Sequence, residues 1–210
     1  MEAEVPGNMI NNLSAALSAS LEIMHKMQSD PAFVPLLLDV CEACVASYRK
    51  GGKLLIAGNG GSAADAQHFA GELVSRFAFD RPPLSAIALT TDTSILTAIG
   101  NDYGYRDVFS RQVLAYGQKG DIFIAISTSG NSVNIVDAIL TARKAGLTII
   151  GLSGQTGGQI KAICDYCICA PSSSTPRIQE CHLVIEHTIC GYIEESLFGS
   201  SEASPITKEP

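Results

Sequence analysis

Tryptophan is absent from this chain of 210 residues, and charged side chains make up only 17% of it. The sequence has no run of Lys or Arg, and its net charge of −7 disfavours binding to a nucleic-acid backbone. It also lacks the roughly 18 uninterrupted apolar residues that a membrane helix needs. Residues 1–7 have neither the basic nor the apolar region of a signal peptide. We therefore expect a cytoplasmic protein without a nucleic-acid or membrane partner.

The seven cysteines do not indicate a disulfide framework, because their number is odd and the chain has the features of an intracellular protein. Cys41 and Cys44 have the spacing of a metal or redox motif, but they lie in an apolar helical run. Cys164, Cys167 and Cys169 form a looser second cluster. Free cysteine most often packs as a small apolar side chain. We therefore predict reduced thiols in the core, with zinc or redox chemistry as the alternative.

The spacing of apolar residues predicts an α/β fold. Apolar residues three and four positions apart predict helices at 11–28 and 31–50, and Asp30 before Pro31 is typical of a helix start. Strands are predicted at 53–57, 86–89, 122–126, 148–152 and 166–170, and further helices at 63–77, 93–99, 108–116, 133–145 and 177–198. This alternation predicts a doubly wound parallel sheet with helices on both faces. We predict one domain over residues 1–198 and a disordered tail over residues 199–210.

Two strand-to-helix loops have the composition of an anion site. The first is Gly58–Ser62 (GNGGS), and the second is Ser127–Ser132 (STSGNS). Glycine lets backbone N–H groups approach an anion at a helix N-terminus, and hydroxyl groups bind phosphate oxygens without a cationic side chain. Ordinary helix capping also places these residue types at such turns. Two such loops in one sheet favour a phosphate-ester site.

The first loop also matches the dinucleotide pattern G-x-G-x-x-A over Gly58–Ala63. That pattern requires an acidic residue about 20 residues further on. Asp92, the nearest acid after the second predicted strand, lies nearly thirty residues beyond Ala63. The Gly-Lys-Ser/Thr of a Walker loop is absent. Dinucleotide binding is therefore the weaker alternative.

His68 and Glu72 follow the first loop and share one face of the predicted helix. A histidine and a carboxylate so placed ligate zinc or share acid–base work, although such a pair is also common on a solvated helix. The last predicted helix contains Gln179, His182 and His187, so it holds half of the four histidines. Their presence in an apolar helix favours a functional site.

These motifs, in this order, resemble the phosphoheptose (sedoheptulose 7-phosphate) isomerase family, which consists of a single SIS (sugar isomerase) domain. The shared features are the loop Gly58–Ser62, the His68-x-x-x-Glu72 helix, the segment Asn101-Asp102-Tyr103-Gly104, the loop Ser127–Ser132, and Arg177-Ile178-Gln179-Glu180 followed by His182 and His187. The resemblance extends from about residue 8 to residue 198. The serine-rich loop is typical of SIS domains in general, whereas the two helix motifs together are much more specific.

The resemblance implies a five-stranded parallel sheet flanked by helices, and a homotetramer with active sites between subunits. The apolar N-terminal helices are expected to pack between those subunits. The implied reaction converts sedoheptulose 7-phosphate into D-glycero-D-manno-heptose 7-phosphate, the first step of bacterial heptose synthesis for surface polysaccharide. The implied site binds one zinc ion through His68, Glu72, Gln179 and His187, and Glu72 and His187 are the implied acid–base pair.

The resemblance further implies a set of substrate-binding residues, in which the serine-rich loop binds the phosphate and Asn101 and Asp102 reach the sugar hydroxyls. The full set is Asn59, Gly60, Gly61, Ser62, Glu72, Asn101, Asp102, Ser127, Thr128, Ser129, Ser132 and Gln179. Some family members have Asp or Ala directly before Arg177, where this chain has Pro176. On one straight helix Gln179 and His187 are separated by roughly 12 Å of rise, so sharing an ion requires the side chains to lean together.

Two alternatives come from other functional classes. One is a non-catalytic SIS protein that binds a replication initiator or another protein partner; the presence of all four implied zinc ligands favours the enzyme over it. The other is a sugar-phosphate-sensing module of a transcription regulator, which the net charge of −7 disfavours.

Overall fold

The computed structural model describes residues 7–199. Its helices are α1 (Gly7–Ser29), α2 (Phe33–Arg49), α3 (Gly61–Val74), α4 (Thr93–Asp102), α5 (Ser110–Tyr116), α6 (Val133–Ala145) and α7 (Thr175–Phe198), and its strands are β1 (Leu54–Gly58), β2 (Ala86–Ala88), β3 (Ile122–Ser127), β4 (Thr148–Ser153) and β5 (Tyr166–Cys169). Short 3₁₀ turns lie at Tyr105–Asp107 and Ile160–Ala162. The predicted tail, apart from Gly199, lies outside the described residues.

The five strands form one parallel sheet in the order β2-β1-β3-β4-β5. This confirms the predicted α/β architecture. Alternate residues of the strands enter different layers: Leu54 and Ile56 pack with α2, α3 and α7, whereas Leu55 and Ala57 pack with α5 and α6. Because both faces are covered, β1 and β3 are buried along their whole length.

Some predicted boundaries are wrong. The helix predicted to start at Pro31 begins at Phe33, because the Asp30 side chain accepts a hydrogen bond from the N–H of Ala32 (2.9 Å) and stabilises a turn there. The helix predicted over 63–77 begins at Gly61 and ends at Val74. The helix predicted at 93–99 continues to Asp102, and the helix predicted at 108–116 begins only at Ser110. The first 3₁₀ turn lies between these two helices.

The cysteines divide into two groups, and all seven are free thiols. Cys41, Cys44, Cys181 and Cys190 are buried, as predicted for core thiols, whereas Cys164, Cys167 and Cys169 are half-buried. Burial raises the pKa of the Cys41 thiol to about 12 and that of Cys181 to about 11, which keeps both protonated.

Within residues 7–199, no single helix has the length and apolar composition needed to cross a membrane. Residues 11–29 and 33–49 meet those criteria only when taken as a pair, and the two helices are bent by 80° at their junction.

Candidate active site

The first predicted loop connects β1 to α3 and is held by a polar network. Gly60 adopts a φ of +57°, a backbone conformation that favours glycine. The side-chain amides of Asn59 and Asn134 donate to each other's Oδ1 atoms, both at 2.9 Å. The hydroxyl of Tyr105 donates a third bond to Oδ1 of Asn59 (2.9 Å). The Asn59 side chain is therefore fixed at the N-terminus of α3.

The second predicted loop connects β3 to α6 and approaches another backbone segment closely. Gly130 has a φ of +66°, and a Cβ at this position would lie 2.0 Å from the carbonyl oxygen of Gly157. Ser127 Oγ donates to Ser132 Oγ (3.1 Å), and Ser153 Oγ donates to the Ser127 carbonyl (2.9 Å). A cleft of about 160 Å³, here called the serine cleft, is lined by Thr128, Ser129, Gly154, Gln155, Thr156, Ser172, Ser173 and Ile178.

Both loops lie at the carboxyl end of the sheet. They follow β1 and β3, which are neighbouring strands between which the strand order reverses. Ligands of open α/β sheets bind at such a reversal point. The first turn of α7 reaches both loops, because Ile178 lines the serine cleft and the Gln179 amide lies against Gly61. A Cβ at Gly61 would come within 2.1 Å of Gln179 Nε2, so glycine makes room for this side chain.

The predicted metal ligands His68, Glu72 and His187 meet where α3 packs on α7, and we refer to them as the histidine cluster. Their ligand atoms all lie within 4.8 Å of one another. Nε2 of His68 is 2.8 Å from Nε2 of His187 and 3.6 Å from Oε1 of Glu72. The His68 side chain is 43% exposed and that of Glu72 is 25% exposed, so the cluster is open to solvent.

The histidine cluster fits a divalent metal ion by its chemistry. It presents two imidazole nitrogens and one carboxylate oxygen, a donor set typical of catalytic metal sites. Two nitrogens bound at about 2.0–2.1 Å to a tetrahedral ion lie roughly 3.3 Å apart. The imidazoles, at 2.8 Å, need to separate by only about half an ångström to reach that spacing.

Gln179, the fourth predicted ligand, lies within α7 and eight residues before His187. The helix is continuous from Thr175 to Phe198, so the two residues are separated by roughly 12 Å of rise. The Gln179 amide lies beside Gly61 at the start of α3. Its role as a ligand therefore stays a prediction that requires the side chain to turn toward the cluster.

Two carboxyl groups, those of the buried Glu186 and the half-buried Asp65, lie near the histidine cluster. Glu186 is fully buried, and neither of its carboxyl oxygens has a hydrogen-bond partner among residues 7–199. Burial and, to a smaller extent, the nearby Asp65 carboxylate raise the pKa of Glu186 to about 8. Burial also raises the pKa of Asp65, while the neighbouring His68 opposes that shift. Glu186 therefore adds little negative charge beside the cluster near neutral pH.

His182 has a structural environment instead. It is fully buried, and its Nε2 lies 3.2 Å from the carbonyl oxygen of Ser153 at the end of β4. Burial lowers the pKa of His182 to about 4, so the imidazole is neutral at physiological pH. Although His182 belongs to the same helix as His187, it supports the sheet and does not join the cluster.

Other predicted substrate residues are placed differently. Ser62 is buried in the first turn of α3. Asn101 and Asp102 lie exposed at the end of α4, where Asn101 Nδ2 donates to Asp102 Oδ1 (2.8 Å). Asp102 lines a separate cleft between α4 and α5, together with Tyr103 and Arg111. Within one chain, the structure does not bring this pair to the serine cleft.

The sequence analysis missed several residues that shape the site. Asn134 and Tyr105 orient Asn59, and the Phe77 ring lies 5.6 Å, between ring centroids, from the imidazole of His187. Asn134 lies two residues after the end of the serine-rich loop, in the first turn of α6, a position that could have identified it. Periodicity did not identify Tyr105 or Phe77, because it does not report contacts with residues far along the chain, and Phe77 lies beyond the end of α3 although the apolar pattern extended the helix to it.

Comparisons with known proteins agree with the geometry. A family model described as the SIS domain matches residues 18–154. The phosphoheptose isomerase of Burkholderia pseudomallei (strain 1710b) is 54% identical over 187 residues, which cover 89% of this chain and 95% of that protein. The phosphoheptose isomerase of Aneurinibacillus thermoaerophilus is 53% identical over 190 residues, which cover 90% of this chain and 96% of that protein.

A solved structure gives the same result in three dimensions. The phosphoheptose isomerase of Neisseria gonorrhoeae superposes with a TM-score of 0.84 at 40% sequence identity, and the match covers 89% of this chain and 99% of that chain. These matches confirm the resemblance that the two loops and the two helix motifs predict, and they favour the enzyme over the non-catalytic alternative. The chain belongs to the SIS-domain family and, within it, to the phosphoheptose isomerases.

Proposed function

We propose that this chain isomerises sedoheptulose 7-phosphate to D-glycero-D-manno-heptose 7-phosphate. The observation that carries the proposal is the position of α7, which reaches the serine cleft with Ile178 and the histidine cluster with His187. One helix thus links an anion site rich in hydroxyl groups to a potential metal and acid–base site. Family membership at 54% identity supports the same reaction class.

The distance between the two sites suits a seven-carbon substrate. Nine residues of α7 separate Ile178 from His187, which corresponds to roughly 13 Å of helix rise. An extended sedoheptulose 7-phosphate spans roughly 9 Å from phosphorus to its carbonyl carbon, at single-bond lengths of about 1.5 Å. Contacts of about 2–3 Å at each end account for the difference. A pentulose 5-phosphate is two carbons shorter and is therefore expected to span the two sites less well.

The proposed resident ion is one zinc per chain, held by His68, Glu72 and His187 with Gln179 as the fourth ligand. Nitrogen and oxygen donors without thiolates suit a catalytic zinc better than magnesium. When bound, zinc supplies a Lewis acid beside the sugar carbonyl.

The proton transfers are assigned to two side chains of the cluster. Glu72 removes a proton from C1 of the ketose and returns it to C2, which requires its carboxylate to lie within hydrogen-bond reach of both carbons. His187 protonates the oxygen on C2 and accepts the proton from the oxygen on C1, so that the net reaction moves the carbonyl group from C2 to C1. The serine-rich loop binds the phosphate group and thereby holds C1 and C2 of the sugar in place.

The sugar-binding site is proposed to be completed by a neighbouring subunit of a homotetramer. Asn101 and Asp102 lie away from the serine cleft of their own chain, which supports a role at a neighbour's site. The leucines Leu13, Leu17 and Leu21 on α1 are each more than 60% exposed in the single chain. An apolar stripe of this kind supports burial between subunits.

The cytoplasm remains the proposed location, and bacterial heptose synthesis for surface polysaccharide remains the proposed pathway. Both are extensions of the proposed reaction, since a free sugar phosphate is a substrate of intracellular metabolism. They are supported by the relatives' shared description as phosphoheptose isomerases.

The direct test incubates purified, zinc-loaded protein with sedoheptulose 7-phosphate and follows the aldose phosphate by NMR. Ribulose 5-phosphate serves as the short-chain control, and Glu72→Gln as the variant control. We expect the wild type, but not Glu72→Gln, to convert sedoheptulose 7-phosphate. Neither protein is expected to convert more than a little ribulose 5-phosphate. No aldose product, or equal turnover by Glu72→Gln, would contradict the proposal.

A further inference from the structure

A buried ion pair lies beneath the histidine cluster, at the end of α3. The side chains of Arg81 and Glu194 are 2% and 1% exposed, and Nε of Arg81 is 3.8 Å from Oε2 of Glu194. Arg81 belongs to the irregular segment between α3 and β2, and Glu194 belongs to α7. Burying two charges in this way is costly unless further hydrogen bonds satisfy both partners.

The Arg81 guanidinium donates hydrogen bonds to backbone carbonyl groups at the end of α3, starting at Glu72. Its Nη2 donates to the carbonyl oxygen of Glu72 (2.9 Å), and its Nη1 donates to that of Leu73 (2.6 Å) and, at 3.3 Å, to that of Ser75. The last carbonyls of a helix have no partner within the helix. The guanidinium therefore ends α3 and fixes the turn that presents Glu72.

The Glu194 carboxylate accepts hydrogen bonds from the backbone of the turn that follows α3. Its carboxylate accepts hydrogen bonds from the N–H groups of Phe77 (2.8 Å), Ala78 (3.1 Å) and Phe79 (2.8 Å). This turn directs the Phe77 ring onto the imidazole of His187. Gly191, one helical turn beyond His187, leaves the necessary room, since a Cβ there would lie 3.2 Å from the Phe77 ring.

We propose that Arg81 and Glu194 are positioning residues for the metal site. Arg81 fixes the backbone of Glu72 on α3, Glu194 fixes the ring that packs on His187 of α7, and the ion pair joins the two. This inference rests on the proposed zinc-dependent isomerase. Because neither residue lines the serine cleft, they act on metal affinity and on the proton transfers, and they leave phosphate binding unchanged.

The test compares Glu194→Gln and Arg81→Lys with a matched control. A glutamine accepts hydrogen bonds through one oxygen only, and a lysine does not span the four backbone carbonyls to which Arg81 donates, those of Glu72, Leu73, Ser75 and Pro82. The control is Asp121→Asn. Asp121 is also a buried carboxylate that accepts two backbone N–H bonds and pairs with a base, Lys53 (2.6 Å), but it lies directly before β3 and makes no hydrogen bond to the histidine cluster.

Three quantities are measured for each protein: zinc affinity by competition with a chromophoric chelator, kcat, and KM for sedoheptulose 7-phosphate. We expect both variants to lose about 10- to 100-fold in zinc affinity and in kcat, with KM within about twofold of the wild type. Asp121→Asn is expected to lose thermal stability but to keep its zinc affinity. Phe77→Leu, which leaves the ion pair intact, is expected to lower zinc affinity to a smaller extent.

The outcomes separate this inference from the proposed function. If the wild type binds zinc and turns over the substrate while Glu194→Gln and Arg81→Lys match it, the inference alone is overturned. The same holds if the two variants lose no more zinc affinity than Asp121→Asn does. If either variant fails to fold, unchanged zinc affinity in Phe77→Leu contradicts the contact on which the inference depends. A wild type that binds no zinc would overturn the proposed metal and this inference together.

Discussion

The histidines show that surroundings, and not residue type, decide what a side chain does. His68 and His187 bring their Nε2 atoms to 2.8 Å at an open seam between two helices, where an ion has access. His182 belongs to the same helix as His187, yet it is buried against the end of β4 with a single backbone partner. Burial without a counter-charge keeps it neutral.

The lowered pKa of His182 predicts a pH dependence of folding. A base whose pKa falls from 6.5 to about 4 on folding stabilises the protein above pH 6.5, and that contribution is lost as the pH falls toward 4. The loss amounts to at most roughly 3.5 kcal/mol, at about 1.4 kcal/mol for each pKa unit. The free energy of unfolding is measured by urea denaturation of metal-free protein at pH 7.5 and pH 5. Between these two pH values, this free energy is expected to fall less in His182→Asn than in the wild type.

The control for this prediction is His25→Asn, since His25 is exposed on α1. This variant is expected to follow the wild-type pH dependence. An equal loss of stability on acidification in His182→Asn and the wild type would show that His182 is not the titrating group.

The strands and loops were predictable from sequence because their signals are local. Each apolar run that predicts a strand is continuous, since both faces of the sheet are covered, and each loop predicted to bind phosphate has its glycines or hydroxyls in one short segment. The Asn59–Asn134 pair, by contrast, joins residues 75 positions apart. Arg81 and Glu194, which form the buried ion pair, are also far apart along the chain. Periodicity reports which face a residue occupies, and it does not report which distant side chain the residue meets.

The histidine cluster lies between these cases. The spacing of His68 and Glu72 predicted a shared helix face, and the structure brings His187 to that face. Residue spacing alone did not establish that α3 and α7 pack together, and the family resemblance supplied that pairing. The helix boundaries near Pro31 and Val74 were wrong, because side-chain capping at a turn and a buried arginine at the end of α3 override the apolar pattern.

The serine-rich loop carries a prediction at the scale of one element. Replacing Ser129 and Ser132 together by Ala removes two hydroxyl groups from the proposed phosphate site. A hydrogen bond to a charged group is worth about 1.5–3 kcal/mol, so KM for sedoheptulose 7-phosphate is expected to rise at least about tenfold. The effect on kcat is expected to be small, because neither residue lies in the histidine cluster.

Steady-state kinetics with Ser94→Ala as the control tests this prediction. Ser94 is exposed on α4 and lies outside both loops. A double variant with wild-type KM would remove the serine loop from phosphate recognition.

The proposed homotetramer carries a prediction for the whole molecule, because the exposed leucines of α1 support burial of this helix between subunits. Leu17→Glu places a charge in the middle of the stripe that Leu13, Leu17 and Leu21 form. If the stripe is buried between subunits, the variant dissociates into smaller species and loses activity, because Asn101 and Asp102 no longer reach a neighbouring site. Size-exclusion chromatography with light scattering measures the change in mass.

The matched control is Ala15→Glu, an exposed position on the opposite side of α1. It is expected to keep the wild-type mass and activity. A wild-type protein that is already monomeric and active, or a dissociated Leu17→Glu variant with full activity, would refute the shared-site proposal.

We predict that isomerisation requires a zinc ion at the histidine cluster, with all of its protein ligands supplied by a single chain. The most direct measurement prepares metal-free protein by chelation, verifies by circular dichroism that it remains folded, and follows sedoheptulose 7-phosphate turnover during titration with zinc. We expect negligible turnover without metal and full recovery at one zinc per chain, with His187→Ala inactive throughout. Full activity in the folded, metal-free protein would contradict it.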